Sequence, residues 1–238
     1  MTPLLFTLVV FTVSVAAGLL GSLLGLGGGI IVVPALTLLL HVDIRFAIGA
    51  SIVSVIATSS GAAAAYVRDG MTNLRVAMFR KRHAEVAVAV VPADGLADRL
   101  ALHGSYVDEA LGREVEYPVT GSTIGLALMY VAGVVSGLLG IGSGALKVPA
   151  MDLAMRLPIK VSTATSNFMI GVTAAASAGV YFARGQVDPF VAGPVAMGVL
   201  TGALTGSRLL GRLHSAVIRK VFVAVLLWVS LEMLLKGL

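Results

Sequence analysis

The sequence predicts an all-α, polytopic membrane protein built from two inverted repeats, each containing a glycine-broken helical hairpin. Three observations support this prediction. The chain is 58% hydrophobic and only 12% charged, whereas an ordinary soluble domain is about 25% charged. Its charge-free stretches are long enough to cross a bilayer, and one glycine-rich apolar segment is present twice.

The membrane spans follow from the distribution of charge. Asp, Glu, Lys and Arg are absent from five blocks, 1–42, 46–67, 121–146, 161–183 and 189–207. Each block reaches or exceeds the roughly 20 residues that a helix needs to cross a bilayer. Because the alternation of apolar and polar residues typical of β-barrels is absent, helices are expected. The predicted helical segments are 4–24, 29–41, 46–67, 121–141, 144–156, 161–183, 189–210 and 216–236.

The duplicated segment reads GLLGSLLGLGGGIIVVPALTLLL at 18–40 and GVVSGLLGIGSGALKVPAMDLAM at 133–155. The two copies align without a gap at a constant offset of 115 residues, so that Gly29 matches Gly144 and Pro34 matches Pro149. Glycine costs about 1 kcal/mol and proline about 3 kcal/mol in a helix interior, so each copy predicts a broken helix. Paired interrupted apolar segments indicate the binding site of a transporter.

Lys and Arg residues predict the orientation. Most of them lie in the central loop 68–120 and in turns that share its side of the membrane, which places this loop in the cytoplasm of a multi-pass cell-membrane protein. The turn at 41–45 is then external and its counterpart at 156–160 is cytoplasmic, so the two halves are inverted. We expect a shortened first membrane repeat at 1–79, a cytoplasmic inter-repeat loop at 80–120 and a second membrane repeat at 121–238.

With the twin glycine motifs, the chain resembles the sulfite exporter TauE/SafE family of membrane permeases. The resemblance is strongest over GLLGIGSGALKVPAMDLAMRLPIKVSTATSNFMIG, residues 137–171. It implies a secondary carrier that moves small anions, often sulfur oxyanions or organosulfonates, across the cytoplasmic membrane. Family members typically have further hydrophobic spans between the first repeat and the inter-repeat loop, and this chain departs from that pattern at Phe79 and Arg80, where two helices are missing.

The glycine turns suggest where an anion binds. A helix that begins after such a turn presents free backbone N–H groups and about half a positive charge, which together attract anions. The alternative is close helix packing, because Gly21, Gly25 and Gly29 also form a small-residue stripe. A second stripe at Gly198, Gly202 and Gly206 is interpreted as packing alone. The candidate substrate-binding residues are Gly27, Gly28, Gly29, Gly142, Ser143, Gly144, Lys147, Thr165, Ser166 and Asn167.

Side chains beyond the turns have two interpretations each. Lys147 is a basic residue inside an apolar stretch, so it either holds the anion or has a structural role, in which it pairs with Asp152 or snorkels to the membrane surface. Asp152 lies near a predicted helix end and is expected to be structural. The polar run VSTATSNFMIG at 161–171 either coordinates an oxyanion or makes helix caps and interhelical hydrogen bonds. Its counterpart at 46–56 has only Ser51 and Ser54, which predicts an asymmetric site.

Other function classes find little support. No nucleophile triad, dinucleotide fingerprint, P-loop or metal-ligand spacing is present, so neither an enzyme, a cofactor nor a metal site is expected. The expected partners are a small anionic solute and the lipid bilayer, not nucleic acid, and a homo-oligomer is left open. Two alternatives to a carrier also stay open, an anion channel and a shortened, non-transporting family member that acts as a subunit.

Overall fold

The computed structural model describes residues 2–68, 94–139 and 144–237 of the chain. Within these ranges the protein is almost entirely helical, as predicted. The helices are α1 Pro3–Leu24, α2 Gly29–Pro34, α3 Ile44–Arg68, α4 Gly95–Leu100, α5 Ser122–Leu139, α6 Gly144–Pro149, α7 Ile159–Ala183, α8 Pro189–Arg212 and α9 Ser215–Gly237. A single antiparallel pair, β1 Gly104–Asp108 and β2 Arg113–Tyr117, lies between α4 and α5.

The centre of the bundle is formed by α1, α3, α7 and α8. Helix α8 packs along α1 through the glycine stripe at 198, 202 and 206, where added methyl groups would meet the α1 backbone at Phe11, Val15 and Leu19. Because glycine has no side chain, the two helices approach closely along their whole contact. The interpretation of this stripe as packing is therefore confirmed.

Both short helices that follow the glycine motifs are present, and they repeat each other in register. Helix α2 begins at Gly29 and α6 at Gly144, and the longer helices after them, α3 and α7, also begin 115 residues apart. The connections after the two hairpins share a left-handed backbone residue, His41 with φ 53° and Arg156 with φ 54°. The structure therefore duplicates one supersecondary unit, while the inverted orientation of the two halves stays a prediction.

A proline ends each of the two short helices and changes the helical geometry of the residues after it. After Pro34 the chain continues as a π-helix over Ala35–Leu39, and after Pro149 as a π-helix over Ala150–Ala154. Proline has no N–H to donate and its ring crowds the carbonyl four residues earlier. The wider π turn accommodates this defect without ending the helical run. Each hairpin therefore contains a continuous run of 11 residues, as Gly29–Leu39 shows.

The segment between the halves carries a strand pair that is joined by a turn around Leu111 and Gly112. Gly112 has φ 62°, and five residue pairs register β1 against β2. Asp94 caps α4 and accepts hydrogen bonds from the backbone N–H and hydroxyl of Ser122, both at 2.6 Å, which lower the pKa of its carboxyl. The segment is thereby tied to the start of α5.

Three described helices are long and apolar enough to cross a membrane, Pro3–Leu24, Ile44–Val67 and Pro189–Arg212. Helix α7 is as long as α3 but is less apolar, because its first half carries the polar run at 162–167. All of these polar side chains are buried against other helices. The predicted shortening of the first repeat after Phe79 lies outside the described residues.

Candidate substrate site at the glycine turn

The turn between α1 and α2 requires glycine at several positions. Gly25 ends α1 in the left-handed conformation with φ 71°, and Gly27 and Gly28 have φ 76° and 72°. Residues other than glycine rarely adopt this backbone conformation, because their Cβ atom would lie too close to the carbonyl oxygen. The first intrahelical hydrogen bonds run from Ile31 and Val32 to the Gly28 carbonyl, both at 3.0 Å. The N–H groups of Gly29 and Ile30 therefore precede any intrahelical acceptor.

Helix α7 holds this turn in place through two predicted site residues. Ser166 Oγ donates to the Gly25 carbonyl at 2.7 Å, and Asn167 Nδ2 donates to the Ser22 carbonyl at 2.8 Å. On the other side, Ser59 Oγ of α3 donates to the Asn167 carbonyl at 2.6 Å. The bonds from Ser166 and Asn167 satisfy carbonyl groups that the end of α1 leaves open. Part of the polar run on α7 thus stabilises the broken helix itself.

The two broken hairpins meet at this place. A methyl group added at Gly144, the first residue of α6, would lie against the carbonyl oxygen of Gly25 and 2.8 Å from the Leu26 Cα atom. A methyl group at Gly25 would lie 3.0 Å from the Val148 side chain. The start of α6 therefore lies against the glycine turn between α1 and α2, as a shared site at the repeat interface requires.

Unpaired polar atoms are concentrated on the helices that flank the turn. Five buried side-chain atoms have no hydrogen-bond partner within the described residues, and all belong to α3 and α7: Ser51 Oγ, Ser54 Oγ, Thr58 Oγ1, Thr163 Oγ1 and Asn167 Oδ1. Each such atom costs about 1–3 kcal/mol when it stays unsatisfied. Two of them face the turn, since Thr58 Oγ1 lies 3.2 Å from a methyl added at Gly28 and Ser51 Oγ lies beside Gly29.

Hydroxyl groups elsewhere in the same bundle behave differently. Thr12, Thr201 and Ser207 donate to carbonyl groups three or four residues earlier in their own helices, at 2.8–3.0 Å. This local bond is the usual arrangement for Ser and Thr in apolar helices. The four free hydroxyls on α3 and α7 do not make this local bond, so each keeps a free donor, and those of Ser51 and Thr58 face the turn.

Lys147 lines a cavity that does not include the glycine turn. Its side chain is only 4% exposed and lines a cavity of about 420 Å³ together with residues of α5 and α7. None of the residues of the glycine turn, and none of the free hydroxyls, lines that cavity. The structure therefore does not bring Lys147 together with the turn in one cavity. Asp152 is not its partner either, because Asp152 accepts two hydrogen bonds from Arg219 of α9 at 2.8 and 2.9 Å.

The other predicted residues divide into three groups. Gly27, Gly28, Gly29 and Gly144 lie together at the meeting point of the hairpins, and Ser166 and Asn167 contact it. Thr165 is fully buried on the same helix. Gly142 and Ser143 lie outside the described residues.

Sequence reasoning gives too little weight to α3. Ser51, Ser54 and Thr58 are all fully buried, and Thr58 is not among the candidates that the sequence predicts. A usable signal exists, because the spacings of three and seven residues place the three hydroxyls on one face of a helix. The predicted asymmetry of the site counts only Ser51 and Ser54 as polar residues of α3. With Thr58 included, α3 supplies three of the four free hydroxyls and α7 supplies one.

Comparison with known proteins agrees with this architecture. The family model described as "Sulfite exporter TauE/SafE" matches residues 10–81 and 86–233. The chain belongs to the sulfite exporter TauE/SafE family. It is 26% identical over 261 residues to the probable membrane transporter protein YunE of Bacillus subtilis (strain 168), covering 93% of this chain and 95% of that protein. It is also 25% identical over 234 residues to the probable membrane transporter protein YdhB of the same organism, covering 91% and 94%.

Family membership makes the chain a multi-pass membrane protein of the transporter class. The alignment with YunE spans 261 positions, more than the 238 residues of this chain, so YunE contains residues without a counterpart here. The position of the predicted gap after Phe79 stays a prediction. No solved structure matches the chain.

Proposed function

We propose that this member of the TauE/SafE family is a permease for small oxyanions, with sulfite, organosulfonates or related sulfur oxyanions as its substrates. The family description provides the substrate class, since it names a sulfite exporter. The observation that carries the proposal is the set of four buried hydroxyls without partners on the two helices that flank the glycine turn, Ser51, Ser54, Thr58 and Thr163, of which Ser51 and Thr58 face the turn. We propose that the oxygens of the substrate accept hydrogen bonds from these groups and from the N–H groups of Gly29 and Ile30.

Neutral donors suit a carrier of this kind. Backbone and hydroxyl donors at the start of the helical run 29–39 bind an anion through hydrogen bonds and the helix dipole, without a permanent counter-charge. A site without a fixed cation releases its anion more readily, because no strong ion pair has to be broken. The glycine Cβ positions are filled by Ile170, Thr58 and Ser51. The solute therefore enters only when the hairpins separate, as alternating access demands.

Counterflow in proteoliposomes tests the proposal. Vesicles loaded with unlabelled sulfite, thiosulfate, a sulfonate or a carboxylate are exposed to trace labelled sulfite, and we expect the sulfur oxyanions to drive accumulation. The double variant Ser51→Ala, Thr58→Val keeps the shape of the site and removes two donors, so KM should rise by about a hundredfold or more. Loss of two hydrogen bonds to a charged group corresponds to about 3 kcal/mol or more.

Ser207→Ala is the matched control. Ser207 is 2% exposed, like the site hydroxyls, but it donates to the Leu204 carbonyl of its own helix at 3.0 Å. Its replacement should leave KM unchanged. An equal effect of the control and the double variant, or accumulation that does not distinguish sulfite from carboxylates, contradicts the proposed site. Flux that does not saturate and shows no counterflow indicates an anion channel.

The prediction that Lys147 binds the substrate is tested in the same assay. Lys147→Met removes the charge and keeps the length of the side chain. An unchanged KM for sulfite, alongside the expected loss in the double hydroxyl variant, assigns Lys147 to the cavity beside α5 and not to the substrate. A rise in KM of tenfold or more assigns it to the substrate.

A further inference from the structure

Helix α5 has an exposed face, and the equivalent face of its repeat counterpart α1 is buried against α8. Gly18 on α1 is buried, and a methyl group added there would lie against the backbone of Val199 on α8. Gly133 on α5 occupies the same position in the second repeat, yet it is exposed and has open space around its Cβ position. The same unit of structure thus packs against a helix in one half and not in the other.

The exposed face coincides with the cavity that contains Lys147. Five α5 residues line that cavity, and they are Leu126, Met129, Tyr130, Gly133 and Val134. Their counterparts 115 residues earlier are the α1 residues that lie against α8: Phe11, Ser14, Val15, Gly18 and Leu19. The cavity of about 420 Å³ is therefore the position at which a helix equivalent to α8 would pack on α5. We call it the α5 groove.

Lipid alone is a poor occupant of the α5 groove. Lys147 is 4% exposed, and its ammonium group has no hydrogen bond or ion pair within the described part of the chain. An unpaired charge inside a membrane bundle is costly, and such residues pair with one another or with backbone carbonyls. The apolar walls suit a helix, and the buried ammonium requires an acceptor on the surface that covers it.

The corresponding segment of this chain is unsuited to the groove. The counterpart of α8 in the first repeat is 74–97, LRVAMFRKRHAEVAVAVVPADGLA, which contains six charged residues, Arg75, Arg80, Lys81, Arg82, Glu85 and Asp94. Charges are costly inside a bilayer, by about 3 kcal/mol for each residue near its centre. Four of the six are positive and would repel Lys147. The segment 74–97 is therefore not the helix that covers the groove.

We propose that the α5 groove binds a transmembrane helix of a partner protein. That helix carries a small-residue stripe, which packs across Gly133 as the stripe of α8 packs across α1, and one carboxylate, which pairs with Lys147. This inference goes beyond the transport activity and does not depend on it. It makes the chain one subunit of a larger membrane assembly.

The test uses a probe helix of defined sequence. A synthetic peptide with the sequence of Pro189–Arg212 and the substitution Val195→Glu combines the required stripe with an acid one turn before Gly198. The chain contains no cysteine. A fluorescence donor is therefore attached through Val107→Cys, on the strand pair outside the bundle, and an acceptor through the peptide. Energy transfer in vesicles gives the peptide mole fraction at half-saturation.

Two substitutions in the chain test separately the packing at Gly133 and the charge of Lys147. Gly133→Leu fills the groove and should raise the half-saturating mole fraction at least tenfold. Gly179→Leu is the matched control, because Gly179 also lies on a helix with open space at its Cβ position. In the unaltered chain we expect the Val195→Glu peptide to bind at least tenfold better than the unsubstituted peptide. This advantage should disappear in Lys147→Met.

Three results would overturn the proposal. One is equal binding to Gly133→Leu and Gly179→Leu. Another is that the Val195→Glu peptide binds no more strongly than a polyleucine helix, which would indicate that lipid fills the groove. The third is a dimer of this chain that Gly133→Leu dissociates, which would make a second copy the occupant. The readout is association only, so a failure here is distinguishable from a failure of the proposed oxyanion site.

Discussion

A single buried ion pair fastens the strand pair to the membrane bundle. Lys160 Nζ, at the start of α7, donates to Asp108 Oδ1 at 2.7 Å and to the Gly211 carbonyl of α8 at 3.0 Å. The two side chains are 0% and 3% exposed. Burial raises the pKa of the Asp108 carboxyl, but the hydrogen bond and charge of Lys160 outweigh burial, and the pKa falls below its usual value.

Replacing Asp108 should therefore lower the free energy of unfolding substantially. Asp108→Asn leaves Lys160 buried without a counter-charge, which typically costs about 3–5 kcal/mol. We expect the free energy of unfolding in detergent to fall by about that amount. Asp152→Asn is the control, because it also breaks a pair with a basic residue but its partner Arg219 is 61% exposed. Exposed pairs contribute about 0–1 kcal/mol, so a similar loss in both variants would contradict this account.

The same pair predicts how stability depends on pH. A carboxyl whose pKa is lowered by folding contributes stability above its unfolded pKa, about 3.9, and loses it as the pH falls through the folded value. Unfolding should therefore become easier below about pH 4 in the unaltered chain. In Asp108→Asn this part of the pH dependence should be missing, because the titrating group is gone. Parallel unfolding curves of the two proteins between about pH 5 and pH 3 would show that the pair does not titrate as described.

At the scale of elements, the contact between α1 and α8 shows how far glycine governs packing. A methyl group at Gly202 would lie 2.7 Å from the Leu19 amide nitrogen and against the Val15 carbonyl. Both contacts are backbone atoms, so no side-chain rotation can relieve them. Gly193, nine residues earlier on the same helix, has open space at its Cβ position. One helix thus contains a glycine that tolerates a side chain and one that does not.

Gly202→Leu should consequently force α1 and α8 apart. Overpacking of a filled interface costs about 1–3 kcal/mol or more, and rigid backbone partners place this site at the upper end. We expect a loss of about 3 kcal/mol in the free energy of unfolding, or failure to fold. Gly193→Leu should cost far less, because its Cβ position is open and the gain of roughly 1 kcal/mol in helix propensity offsets the crowding by Pro194, the next residue. Equal stability of the two variants would show that α8 is not held by its glycine stripe.

For the molecule as a whole, charge-free blocks and duplicated glycines are sufficient to predict the architecture. The predicted segment 29–41 is observed as Gly29–Leu39, and 161–183 as Ile159–Ala183, because helix length and apolarity are local properties of the sequence. The π-helices are not predicted. They depend on how the backbone around Pro34 and Pro149 adjusts to a missing donor, which composition does not reveal.

The candidate site is predicted less completely, and for a different reason. That Lys147 lines a cavity without any residue of the glycine turn depends on the rotation of α6 about its axis, which tertiary packing sets. The sequence does not show whether the Thr58 hydroxyl donates to a carbonyl of its own helix. Only the structure shows that it does not. Lys160 and Asp108 lie 52 residues apart in sequence, so their pairing follows from the fold and not from spacing.

The inverted relation of the two halves is the remaining architectural prediction, and it can be tested at one matched pair of positions. His41 and Arg156 are counterparts at the offset of 115, both are exposed, and both have a left-handed backbone, so a cysteine perturbs them equally. The Lys and Arg distribution predicts that His41→Cys reacts with an impermeant maleimide on intact cells. Arg156→Cys, like Val107→Cys on the strand pair, should react only after permeabilisation. Labelling of His41→Cys and Arg156→Cys from the same side would make the repeats parallel and would remove the symmetry on which alternating access between them depends.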